Sequence, residues 1–366
     1  MSPTLFSPIT LKAPSEPVTA RDRVFVAPMC MYSAQNGRPT DWHLQHYGAL
    51  ANGGFGMVVV EATGVQARGR ISPNDLGIWE DTQVEGLSRI AGIISEGGAV
   101  PAIQLGHAGG KASTHPWFPS RSGGTVPASQ GGWDTISASA GPVTEGLRPA
   151  SEATEEDIEG VKQAFVDAAK RADQAGFKVV EIHGAHGYLL HQFLSPLTNH
   201  RTDIYGGDEA GRTRLFKEVM EAVRDAWVKP LGLRVSAEDW VDGGWNLEAT
   251  IRLLKDLSED GLVDWVDVSS GGLSKSEVVP VGPGYQVPAA AAVKRALEGE
   301  GVAVSAVGLI DSPAQAETIV ATGQADAVSI GRAALRNPHW ATAAAADLGG
   351  KDCVLPMAPQ YWRALW

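Results

Sequence analysis

The sequence predicts an α/β fold, a (β/α)8 TIM barrel formed as a single domain over residues 1–366. Three observations predict it. Short runs rich in Val, Ile and Leu recur eight times. They lack clean polar–apolar alternation, as parallel strands buried on both faces do. Amphipathic segments separate them, and eight β–α alternations favour a closed barrel over an open sheet.

The expected strands are Val24–Met29, Met57–Ala62, Val100–Leu105, Lys178–His183, Leu231–Ser236, Trp265–Ser269, Ala303–Val307 and Ala327–Ile330. Expected helices are Trp42–Asn52, Thr82–Glu96, Glu155–Gln174, Gly211–Val228, Leu247–Glu259, Val287–Glu298 and Pro313–Ala321. Glu155–Gln174 opens on a capping box, Thr154-Glu155-Glu156-Asp157. Its apolar residues Ile158, Val161, Phe165, Ala168 and Ala169 recur at helical spacing. Gly97-Gly98, Gly176 and Gly261 read as helix stops. Two stretches lie outside the repeat. Residues 111–153, rich in Gly, Ser and Pro with Trp117 and Trp133, read as a packed, lid-like loop after the third strand. The aromatic tail, Leu355–Trp366, is expected to dock on its own barrel or on a neighbouring subunit.

At 43% hydrophobic and 20% charged, the chain can bury a large core. A formal charge of -12 argues against nucleic acid and fits small-molecule ligands. Cys30 and Cys353 form neither a disulfide framework nor a C-x-x-C metal pair. Met1–Pro14 lacks the pattern of a signal peptide, and no apolar run reaches about 18 residues, so no membrane span is expected and the cytoplasm is the expected compartment.

In this fold, functional side chains gather where strands end. The first exit holds Ala27-Pro28-Met29-Cys30 and then Tyr32. A lone cysteine is usually inert, but this position points Cys30 to the site. The second exit carries Glu61-Ala62-Thr63. The third carries Gln104, whose buried amide matches either a ring edge or nearby backbone. The fourth is richest: His183-Gly184-Ala185-His186-Gly187-Tyr188. Zinc binding by the two histidines is discounted, because the other exits offer no third ligand or second-shell pattern. As donors the imidazoles can hold a carbonyl or nitro oxygen and make the β-carbon electrophilic. Tyr188 suits protonation of the α-carbon. Arg234, inside the fifth strand, needs either a carboxylate such as Glu181 or an anionic ligand. Gly308 after the seventh strand, and Gly331-Arg332 after the eighth, match the phosphate site of such barrels. No Rossmann or P-loop glycine motif is present.

These motifs run nearly end to end: Ala27–Cys30 with Tyr32, Asp41-Trp42-His43, Glu61-Ala62-Thr63, Gln104 through Gly109, His183 through Tyr188, Arg201 through Gly207, Gly331-Arg332, and Gln360 through Arg363. With them the chain resembles the old yellow enzyme family of FMN-dependent NADPH dehydrogenases, in its bacterial thermophilic-like subclass with an active-site cysteine. The resemblance implies that Ala27, Pro28, Met29, Cys30, Ala62, Gln104, Arg234, Gly308, Gly331 and Arg332 hold FMN, with Cys30 tuning it. It implies that His183, His186 and Tyr32 bind substrate and that Tyr188 is the proton donor. It implies NADPH as reductant, with NADH as the alternative. Activated alkenes are the implied substrates. The implied assembly is a homodimer or homotetramer in which Arg363 reaches the neighbouring active site. Gly110, Asp208 and Gly211 depart from the family pattern, which usually has arginine, serine and asparagine there.

Overall fold

A computed structural model describes residues 3–119, 123–349 and 357–364. Eight parallel strands close into a barrel in chain order: β1 (Val24–Val26), β2 (Met57–Gly64), β3 (Val100–Gly106), β4 (Val179–Gly184), β5 (Leu231–Ser236), β6 (Trp265–Ser269), β7 (Ala303–Ala306) and β8 (Ala327–Ile330). β8 pairs with β1 through Val328–Val24 to Ile330–Val26.

All eight expected strands form, four others with ends shifted by one or two residues, and the largest boundary correction falls on the first. β1 ends at Val26, not Met29. Ala27 N–H still donates to Ile330 O at 3.0 Å, but Pro28 has no N–H and the ladder stops. Ala27–Cys30 is therefore loop. Glu155–Gln174 and Leu247–Glu259 form as read. The Thr154 hydroxyl accepts from Asp157 N–H, and the Asp157 carboxylate accepts from Thr154 N–H. Gly98, Gly176 and Gly261 take the left-handed turn that ends their helices, at φ 78°, 92° and 68°. The helix expected from Gly211 starts at Glu209, because the Asp208 side chain caps it by accepting from Gly211 N–H at 2.9 Å. Asp208 thus performs the capping that a serine would. Unanticipated elements are an antiparallel hairpin, Ile9–Leu11 with Val18–Ala20, and the helices Leu189–Leu194, Arg332–Arg336 and Trp340–Gly349.

Successive strand residues face the barrel interior and the helix layer in turn. Val58, Val60, Ile103, Val180, Ile182, Val266 and Val268 pack outward into the main core. Inward residues form layers. Phe25, Met57, Val59, Ala102, Val179, Trp265 and Ala327 make an apolar floor, closed by Ile9, Leu11 and Ala20 of the hairpin. Two residues further along come Gln104, Glu181, Arg234, Asp267, Ser305 and Ser329, all buried. Another step reaches His183, Ser236 and Ser269 at the mouth. The registers Gln104–Glu181, Arg234–Asp267, Asp267–Ser305 and Ser236–Ser269 set these layers side by side.

Candidate active site

At the mouth a cavity of about 250 Å³ is lined by Ala27, Pro28, Met29, His186, Arg234, Gly308, Gly331 and Arg332 among others. The cavity is thus built from the first, fourth, fifth, sixth, seventh and eighth strand exits. Gly308 has φ +121°, which favours glycine, and a Cβ there would lie 2.8 Å from Gln286 Nε2. Arg332 is exposed and forms no ion pair with a carboxylate among the described residues. A glycine-lined cavity with this cation fits a phosphate group.

Arg234 resolves one of the sequence alternatives differently from expectation. Its Nε lies 3.4 Å from Asp267 Oδ2, not against Glu181. Register explains this: Asp267 stands directly opposite Arg234, while the β4 residue opposite is His183. Glu181 instead accepts a 2.7 Å hydrogen bond from Gln104 Nε2. The guanidinium thus pairs with Asp267, and Glu181 is left to the amide. Burial and Asp267 push the Glu181 carboxyl up to about 8.

The His183, His186 and Tyr188 side chains meet. His183 and His186 ring centroids lie 5.2 Å apart, and His183 and Tyr188 4.9 Å apart, all edge-on. His186 needs φ +59° to turn inward, and its N–H donates to Ser236 Oγ at 2.9 Å. Burial, followed by Arg234, pulls both imidazoles well below their ordinary range, so both are neutral. His183 Nδ1 accepts from Ala185 N–H at 3.3 Å, which leaves Nε2–H as its donor. Burial pushes the Tyr188 phenol well above 10, so its proton stays on. Behind this loop, Gly187 N–H donates to His191 Nδ1 at 2.9 Å, and His191 Nε2 meets Asp239 at 2.8 Å.

Cys30, Tyr32 and Ala62 close another wall, with Ile71, Ala108 and Ala112. Burial, Asp75 and Glu61 push the Cys30 thiol up, so it is a neutral thiol. Met31 N–H donates to Glu61 Oε2 at 2.6 Å and fixes this loop. Tyr47 O–H donates to Glu61 Oε1 from behind. The β2 register shifts between Val60 and Thr63, a bulge at the barrel rim beside Ala62. Tyr32 sits at φ +50° with Phe118 edge-on at 5.9 Å.

The segment 111–153 packs over this side in its described part. Of its two tryptophans, only Trp133 is held in place: its Nε1–H donates to Arg68 O and Arg70 lies over its ring, whereas Trp117 is 67% exposed. Gly110 also has its reason. A Cβ there would stand 2.3 Å from Val143 Cγ2, so this loop leaves no room for arginine. In the tail, Tyr361 packs edge-on against His339, and Arg363 is exposed on the short helix Pro359–Ala364. Cys353, Leu355, Pro356, Leu365 and Trp366 lie outside the described residues.

Sequence reasoning passed over four residues. Lys111 Nζ donates to His186 O at 2.8 Å and Gly272 O at 2.7 Å, and lies over the Tyr188 ring. Ser269, Tyr285 and Gln286 line the cavity from the sixth exit and the loop beyond it. The sixth exit was the signal available for Ser269, and Lys111 stands as the retained lysine of the family's third-exit stretch; nothing local marks Tyr285 or Gln286.

A model of the NADH:flavin oxidoreductase / NADH oxidase family matches residues 4–349. An NADPH dehydrogenase of Geobacillus sp. (strain WCH70) is 44% identical over 365 residues, covering 99% of this chain and 100% of that protein. A 2-naphthoyl-CoA reductase complex superposes with a TM-score of 0.82 at 25% identity, covering 96% of this chain but 53% of that one. The old yellow enzyme homologue from Zymomonas mobilis has a TM-score of 0.75 at 23% identity, covering 100% and 99%, a likeness of fold. No helix among the described residues is long and apolar enough to cross a membrane.

Proposed function

The chain belongs to the NADH:flavin oxidoreductase / NADH oxidase family, that of the old yellow enzymes, and from that premise we propose that it reduces activated carbon–carbon double bonds. It is an oxidoreductase whose cofactors are FMN and NADPH. The substrates of the proposed reaction are α,β-unsaturated carbonyl and nitro compounds. The observation that carries the reading is the contact of two neutral imidazoles and a protonated phenol at the barrel mouth, with His186 lining the cavity.

The donor set fits FMN. Ala27, Pro28, Met29, Cys30, Ala62, Gln104 and Arg234 would hold the ring, and Gly308, Gly331 and Arg332 would hold the phosphate. Bound there, FMN would supply the hydride chemistry that links NADPH to the β-carbon of the alkene. His183 and His186 hold the substrate oxygen and draw charge onto it. Being neutral, they donate hydrogen bonds without surrendering a proton. Tyr188 delivers its phenolic proton to the α-carbon. Lys111 ties the His186 carbonyl to that of Gly272 and lies over the Tyr188 ring, which holds this loop in place. Tyr32 lines the pocket, and Cys30 adjusts the flavin as a neutral thiol. Arg363 completes the pocket of a neighbouring subunit in a homo-oligomer, and the enzyme works in the cytoplasm.

The test is spectroscopic. FMN-loaded protein under anaerobic conditions is expected to bleach with NADPH and regain its flavin absorbance when 2-cyclohexenone is added. A protein that takes up no FMN, or that stays bleached across a panel of enones, maleimides and nitroalkenes, overturns the reading.

A further inference from the structure

We propose that Ser269 is a positioning residue that sets the tautomer of His186, and so decides whether His186 offers the substrate oxygen a donor. This rests on the reading of His186 as a substrate ligand. A neutral imidazole carries one N–H. His186 Nε2 lies 2.8 Å from Ser269 Oγ. If that nitrogen carries the proton, the N–H is spent on the serine and Nδ1 can only accept. If Ser269 donates instead, the proton resides on Nδ1 and His186 retains a donor.

The surroundings of Ser269 select the second arrangement. The serine has one proton and two acceptors in reach. One is His186 Nε2 at 2.8 Å and the other is Gln286 Oε1 at 3.2 Å. Gln286 Oε1 already receives the Ser270 hydroxyl at 2.8 Å. Its amide is oriented by Gln286 Nε2 donating to Val307 O at 3.1 Å. The shorter bond goes to the acceptor that has no other donor, so Ser269 donates to His186. Ser269 is buried on β6 directly opposite Ser236, and Ser236 takes the His186 backbone N–H. Two serines in register thus fix both the backbone and the ring of His186. His183 reaches its state by another route, since Nδ1 accepts a backbone N–H. The two histidines are held as opposite tautomers, His183 by main chain and His186 by one hydroxyl.

Long-range ¹H–¹⁵N correlation spectra of histidine-labelled protein, with and without FMN, read the tautomer directly. Wild type is expected to show His186 with a protonated Nδ1 and a bare Nε2. Ser269→Ala is expected to move the proton wholly or partly to Nε2 and to raise the 2-cyclohexenone KM about 2- to 10-fold, the loss of one neutral hydrogen bond. Ser269→Thr, which retains the hydroxyl, is expected to restore both. A wild-type spectrum with protonated Nε2 overturns the proposal, even where a variant does not fold, and so does a tautomer unmoved by Ser269→Ala. A tautomer that shifts while KM holds establishes Ser269's control of the ring and refutes His186 as a substrate ligand.

Discussion

The floor and the mouth of this barrel lie on the same strands yet follow different rules. At the floor Ile9, Leu11, Phe25, Met57 and Trp265 pack as a dry apolar cluster. At the mouth buried carboxylates, a guanidinium and neutral histidines share a low-dielectric space. Backbone strain follows the same division. Among the described residues the non-glycine positions with positive φ are Tyr32, Asn36, Ser113, His186, Trp240 and Leu309. Each follows the C-terminal end of a barrel strand, and each but Asn36, a residue type that tolerates this region, costs about 1–2 kcal/mol. The floor stabilises the fold, and the mouth spends part of that stability on aiming side chains.

Removing the proton donor is the sharpest way to separate the two regions. Tyr188→Phe is expected to slow alkene reduction by about 10²- to 10⁴-fold. Flavin reduction by NADPH and thermal unfolding should stay as in wild type. Anaerobic stopped-flow measurement of both half-reactions checks this. Equal slowing of the two would show that Tyr188 shapes the pocket and is not the acid.

The converse substitution lies at the floor. Trp265 is fully buried, stacks edge-on with Phe25 at 5.8 Å and donates from Nε1 to Ser305 Oγ at 3.0 Å. Trp265→Ala is expected to cost about 3–5 kcal/mol in urea unfolding. The KM of the folded fraction should hold. A shifted KM would mean that Ser305, which donates to Asp267, transmits floor packing to the Arg234 layer.

Between the two regions sits Glu181. Its carboxyl, pushed up to about 8 by burial and Asp267, titrates above its unfolded value of about 4.5. The folded state therefore binds more protons than the unfolded state between those values, and stability falls as pH rises across that window. Glu181→Gln keeps an acceptor for Gln104 and removes the ionisation. Relative to wild type, the variant should gain stability from pH 5 to pH 8, by at most about 1.4 kcal/mol per pH unit, and then level off. Melting temperatures across that range decide it. A constant difference would show Glu181 ionised throughout.

How much of this was legible in the sequence follows from the same physics. The strands could be read because burial on both faces enriches them in Val, Ile and Leu without polar alternation. His183, His186 and Tyr188 could be read because polar aromatic residues of that type are conspicuous at a strand end. The partner of Arg234 could not, because it depends on register: the residue opposite on β6 is Asp267, and no local pattern announces it. Ser269, Gln286 and Lys111 stayed hidden for a related reason. Their roles are hydrogen bonds to residues 17 to 161 positions away, and their residue types are ordinary. The hairpin that closes the floor was missed because three-residue strands carry too little periodicity to register.

The smallest expected effect tests whether strain at the mouth is real. Leu309 follows β7, sits at φ +53° and lines the cavity. Glycine adopts that turn without the Cβ clash, but loses more entropy on folding. Leu309→Gly and Leu309→Ala both lose the half-buried side chain, so their difference reads the turn, with Gly expected to be the more stable by about 0.5–1 kcal/mol in unfolding. The same substitution frees a loop that faces the cavity, so FMN should dissociate more readily, as fluorescence of released flavin reports. Phe25→Gly at the floor, with φ in the strand range, can only destabilise. If Leu309→Gly were no more stable than Leu309→Ala, the turn would hold no strain, and the contrast between floor and mouth would rest on polarity alone.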